Sequence, residues 1–189
     1  MKYEELNDRA KEKARDSLRY IEADYDWWTA DYNYFEEALG SMGFGYVTLR
    51  GFDLDRGSYV KWVGNFSGNV KRVPEEVPDA LHHVANTLCE IDTLGRLADE
   101  NGYLFFNTDN TGGFGSRYSV DVDLGMEDEN GDNPLLDAKQ QEIESAMKEI
   151  EAWMLDVLRR EFEWRTSDEC VEECIKSNEY EFDEDGVQI

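Results

Sequence analysis

The chain has 189 residues and sets 44 Asp+Glu against 19 Lys+Arg, a formal net charge of −25 with a sequence pI near 4.2. That balance argues against a cationic nucleic-acid binder, whose duplex affinity comes from Lys and Arg displacing counterions at phosphates, and against docking on an anionic membrane surface. No apolar run approaches the roughly 18 residues that span a bilayer, and Met1-Lys2-Tyr3-Glu4-Glu5 lacks the apolar region of a signal peptide.

The length fits one domain, and Trp 5, Tyr 10 and Phe 9 supply the mass of a core. Three cysteines without a secretory leader point to a reducing compartment, so the expected location is cytoplasmic.

Asn7 reads as a helix N-cap with Leu6 before it as a hydrophobic staple. Ala10, Ala14, Leu18 and Ile21 then predict a helix over 8–23, which carries Arg9, Lys11, Lys13, Arg15 and Arg19. Trp28, Tyr32, Phe35, Leu39 and Met42 predict a second helix over 25–42, stopped by Gly43 and paired antiparallel with the first. The period then changes to that of strands. Residues 44–54 and 58–66 predict a β-hairpin turning at Asp55-Arg56-Gly57.

Leu81, Val84, Leu88, Ile91 and Leu94 mark a third helix ending near Asp99, followed by a strand over 103–108. Gly112-Gly113-Phe114-Gly115 connects to a strand over 117–124, in which Tyr118, Val120, Val122 and Leu124 face inward. Asn133-Pro134 opens a long helix to about Trp164; its stripe of Ile143, Met147, Ile150, Met154 and Val157 either packs internally or forms a dimer seam. Thr166-Ser167-Asp168-Glu169 is a capping-box pattern that starts a short last helix, and 179–189 can close as a hairpin turning at Asp185-Gly186. The expected architecture is a single α+β domain over 1–189: a small antiparallel sheet of two hairpins, helices on one face, and a long C-terminal helix.

Chemistry-bearing residues are sparse. His82 and His83 are helix neighbours about 100° apart and cannot chelate one ion side by side. Cys170 and Cys174 share a helix face, but zinc needs four ligands, so buried structural thiols are the favoured reading. Asp53/Asp55 and Asp121/Asp123 each project to one sheet face at i,i+2, a spacing that suits a divalent ion, yet such pairs are frequent in so acidic a chain. The glycine-rich segment matches no phosphate-binding fingerprint. No catalytic residue, metal ligand or cofactor site is therefore assigned.

The strongest anomaly is the C-terminus. Asp168, Glu169, Glu172, Glu173, Glu179, Glu181, Asp183, Glu184 and Asp185 face a single Lys176, with Tyr180 and Phe182 interleaved. Carboxylates held on ordered backbone can imitate a phosphate chain, which in a duplex carries one charge per about 1.7 Å of axis. Together with the loop acids Glu127, Asp128, Glu129 and Asp132 they form the expected contact for a basic protein.

Residues 6–15, Leu-Asn-Asp-Arg-Ala-Lys-Glu-Lys-Ala-Arg, the hairpin 51–59 and above all the ending Asn178-Glu179-Tyr180-Glu181-Phe182-Asp183-Glu184-Asp185-Gly186 resemble a group of small bacteriophage and mobile-element proteins often labelled antitoxins of toxin–antitoxin systems. The hairpin departs from that group, with Asp53-Leu54-Asp55-Arg56-Gly57-Ser58 where the group has Gln-Gly-Asp-Gly. The resemblance implies a protein that neutralises another protein, and it carries over no catalytic residue.

The first expectation is thus a non-enzymatic inhibitor of a bacterial defence or toxin protein, a nuclease or nucleic-acid complex of CRISPR or restriction type. The second is a small-molecule sponge for a nucleotide signal, with Arg56, Trp62, Arg117 and Tyr118 around its pocket. A metal-dependent hydrolase is the third.

Overall fold

The computed structural model of the chain describes residues 1–55, 57–66, 77, 79–98, 104–109, 119–120 and 134–189. It is α+β. After a 3-10 turn at Tyr3–Glu5 come α1 (Asp8–Ser17), α2 (Thr29–Ser41), β1 (Phe44–Asp53), β2 (Tyr59–Phe66), α3 (Asp79–Ala98), β3 (Leu104–Asp109), β4 (Ser119–Val120), α4 (Pro134–Arg165) and α5 (Asp168–Ser177). Among the described residues no helix is long and apolar enough to cross a membrane.

The described chain comprises two compact units: Met1–Ala30 with Leu158–Ile189, and Asp31–Val157. The larger unit holds the sheet, in order β1-β2-β3-β4 and antiparallel throughout. The hairpin turn falls where expected, with Gly57 at φ 91. Val60 and Trp62 of β2 are buried, and the Trp62 ring meets Phe44 edge-on at 5.2 Å between centroids.

Helix α2 begins at Thr29, four residues later than the apolar spacing predicts, and stops at Gly43, whose φ of 95 favours glycine. Phe35, Ala38, Leu39 and Met42 are its buried face. Phe35 and Tyr34 pack on Trp153 of α4, with centroids 5.2 and 5.7 Å apart, and Tyr32 packs on Phe52 of β1. Of the α4 stripe, Met147, Ile150 and Met154 are at most 2% exposed within the single chain, and Val157 is half-buried. Glu151, buried on the same helix, accepts a hydrogen bond from the Val60 N–H at 3.2 Å.

In the smaller unit α1 is shorter than predicted. Leu18 leaves the helical region at φ −111, ψ 11, with its N–H shared between the Ala14 and Arg15 carbonyls. Tertiary contacts override the periodicity here, since Leu18 packs on the unit's core and Tyr20 stacks on Phe162. The apolar face of α1 is covered within its own unit. That face packs on α5 and the terminal segment, in a core of Tyr3, Leu6, Ala10, Ala14, Val171, Ile175 and Phe182.

Candidate acidic docking surface

Helix α5 is capped by Ser167, whose hydroxyl accepts from the Cys170 N–H at 3.2 Å. The predicted cap pairing Thr166 with Glu169 is displaced by one residue, because Thr166, just past the end of α4, is engaged by that helix: its N–H and hydroxyl both donate to the Phe162 carbonyl. At the other end Glu179 takes φ 52, its N–H reaches Lys176 O at 3.1 Å, and the Tyr180 N–H reaches Ile175 O at 3.2 Å. This is a Schellman stop with glutamate in the position that glycine usually holds, and it sends the chain back over α1.

The expected hairpin exists as short bridges. Phe182 pairs with Gln188, and Lys2 adds alongside at Glu181. Phe182, fully buried, exchanges hydrogen bonds with Met1 at 2.9 and 2.7 Å. One carboxylate oxygen of Asp183 accepts from the N–H groups of Asp185 and Val187 at 3.0 and 2.9 Å, closing the turn. Gly186, at φ 78, sits on α1 so closely that a Cβ there would lie 2.2 Å from the Ala10 carbonyl oxygen.

The acids of this region fall into two sets. Glu172 is not a free contact residue. It accepts from Arg15 at 2.6 Å, Tyr3 at 3.0 Å and Lys176 at 3.1 Å. Burial opposes its charge, but these three donors outweigh it and hold its pKa below the usual carboxylate range. Asp168 is likewise held down, chiefly by its hydrogen bond from Arg19, with Arg15 beside it at 3.5 Å. Glu181 is paired with Lys2 at 3.5 Å. Arg15 and Arg19 thus tie α5 to the N-terminal part of the chain. The second set, Glu169, Glu173, Glu179, Asp183, Glu184 and Asp185, remains exposed, and Tyr180 is half-buried against the core.

Other candidates resolve differently. Trp62 is fully buried beneath its sheet, so it fills the core of its unit rather than an open ligand pocket. Arg56, Arg117, Tyr118, Asp121, Asp123, the glycine-rich segment 112–115 and the acids Glu127, Asp128, Glu129 and Asp132 lie outside the described residues. Asp53 and Asp55 do not project from one strand face. Asp55 follows the end of β1 and its N–H donates to the Asp53 carboxylate at 2.7 Å, an ordinary turn contact.

Cys174 is buried, and burial followed by Glu22 pushes its thiol up to about 11; Cys170 is also raised, first by burial. Among the described residues no group of three or more His, Cys, Asp or Glu is placed to hold a metal ion. His83 is exposed and borders a cleft of about 380 Å³ between α3 and α4, lined also by Glu90, Glu142 and Glu149.

Sequence reasoning marked the acidic ending correctly as ordered but missed that Asp168 and Glu172 are paired with Arg15 and Arg19. The clue was the concentration of scarce basic residues in the predicted first helix. Compared with known protein families, curated proteins and solved structures, the chain matches none.

Proposed function

We propose that this protein is a non-enzymatic acidic inhibitor, of the phage or mobile-element kind its sequence resembles. It binds a basic, nucleic-acid-handling protein of a bacterial defence or toxin system, of CRISPR or restriction type. The observation that carries this reading is the terminal turn. Asp183, Glu184 and Asp185 stand exposed on a backbone pinned by the Asp183 side chain, by Phe182 and by the close seat of Gly186 on α1. Exposed carboxylates at set positions meet Lys and Arg in a nucleic-acid groove without the entropy cost of ordering a flexible tail. The net charge of −25 adds long-range attraction, so association is fast and falls steeply with salt.

The test is competition. The chain is immobilised, a bacterial lysate is passed over it at low salt, and duplex DNA is used to elute. Nucleic-acid-binding proteins released by DNA and by salt support the proposal. The variant Glu179→Lys/Glu184→Lys/Asp185→Lys keeps the folding contacts of Asp183 and should lose that capture. Capture unchanged by the triple reversal sinks the mimicry reading.

A further inference from the structure

The terminal bridges make a small ladder with one closed edge and one open edge. Lys2 pairs with Glu181 on one side, and Gln188 pairs with Phe182 on the other. The Lys2 edge is closed by its own turn, because the Lys2 N–H donates to Glu5 Oε2 at 2.9 Å. On the other side the Ile189 N–H donates to Glu181 O and the Asp183 N–H donates to Val187 O, both at 2.9 Å. In an antiparallel ladder, the residue between two such bonds turns its own N–H and C=O away from its partner strand. That residue is Gln188, which is exposed and has no hydrogen bond among the described residues.

The same register sorts the side chains. Val187 lies opposite Asp183 and Ile189 opposite Glu181, so these four share one face of the ladder, while Phe182 lies on the other. Phe182 is fully buried, and the four face outward. Val187 is 46% exposed and Ile189 77%. Two aliphatic side chains beside open backbone groups form the kind of edge that proteins cover or guard with charge. The guard on this edge has one sign, because Asp183, Glu184 and Asp185 of the adjoining turn are all exposed carboxylates.

That sign selects the occupant. A second copy of this chain would set the same carboxylates against each other, and each copy carries a net charge of −25. A phosphate-bearing or acidic ligand is repelled in the same way. An extended basic segment is attracted. Its backbone meets Gln188, and every second side chain falls on the face of Val187 and Ile189. A Lys or Arg side chain there lays its apolar stem along the two aliphatic residues and carries its charged head to the carboxylates beyond them.

We propose that the open 187–189 edge takes up an extended Lys- or Arg-rich segment of the partner as an added strand, paired to Gln188 and seated on Val187 and Ile189. This rests on the reading of the partner as a basic protein and adds how its chain is held.

The test compares two labelled, capped octapeptides of equal charge, one alternating Lys with Thr and one alternating Lys with Pro, each titrated with the full chain by fluorescence anisotropy. Proline lacks the N–H that a strand needs, so the second peptide reports charge attraction alone. The Lys-Thr peptide should bind about fivefold or more tightly, the effect of roughly one or two net hydrogen bonds. It should also protect the Gln188 N–H from exchange. Gln188→Pro removes that outward N–H and spares the two inner bonds, which retained protection of the Ile189 N–H verifies; the two affinities should then converge. Val187→Ser/Ile189→Ser leaves the backbone pattern alone and should weaken the Lys-Thr peptide about threefold or more. Equal wild-type affinities, a preference that survives Gln188→Pro, or unchanged binding by the serine variant overturns the proposal. The preference between peptides is independent of lysate capture. Capture that the triple reversal abolishes, found together with no peptide preference, refutes the added strand alone. A peptide preference found together with capture that the reversal leaves unchanged refutes the mimicry reading alone.

Discussion

Gly186→Ala tests whether the acidic turn is fixed by its seat on α1. The added methyl carries two costs. At φ 78 an alanine is left-handed, worth roughly 1 kcal/mol. Its Cβ would also lie 2.2 Å from Ala10 O and 2.9 Å from Ala10 C, both backbone atoms that cannot rotate aside. The turn must lift by about an ångström, which opens the packing over Phe182, a side chain at 0% exposure whose full burial is worth about 1.5–3 kcal/mol. The expected loss is therefore about 2–4 kcal/mol in the smaller unit.

Gly57→Ala is the matched control. It has φ 91, but a Cβ there meets nothing within 4 Å, so only the backbone cost of roughly 1 kcal/mol applies. Because the chain has two compact units, hydrogen exchange at named amides is a better measure than one global melt. The Phe182 and Ile189 N–H groups, bonded to Met1 O and Glu181 O, should lose protection in Gly186→Ala and keep it in Gly57→Ala. Equal protection of Phe182 in the two variants would refute the reasoning.

Two further outcomes follow from the same unit. Glu179→Gly relieves the positive φ of the Schellman stop and should stabilise this unit by up to about 1 kcal/mol, read as a higher urea midpoint at constant m; an unchanged or lower midpoint counts against the strain argument. Asp168 and Glu172 have folded pKa values below their unfolded ones. Their contribution is complete above the ordinary carboxylate range near pH 4 and is lost as pH falls through the folded values. Asp168→Asn/Glu172→Gln should flatten the loss of stability below about pH 4, and slopes equal to wild type there would contradict the ion-pair account.

Local signals in the sequence determined most of the elements. Asn7 caps α1 and accepts from the Ala10 N–H at 3.0 Å, as its place before an apolar 3.6-residue period implies. The Asp55–Gly57 turn, the Gly43 stop and the start of α4 at Pro134 were legible for the same reason: caps, turns and periods act within a few residues. The acidic ending was legible too, down to its turn at Asp185-Gly186.

Tertiary structure decided what those elements do. Arg15 and Glu172 are 157 positions apart, and Arg19 and Asp168 are 149 apart, so no local pattern states that they meet. Their meeting divides one acidic run into carboxylates that hold the fold and carboxylates left exposed. Trp62 shows the same limit. Alternation placed it on one side of a strand, but only the packing of Phe44 against it made that side core rather than pocket. The positive φ of Tyr46 in β1 was invisible to periodicity altogether, because a register shift within β1 is set by pairing with β2 and not by the residue itself.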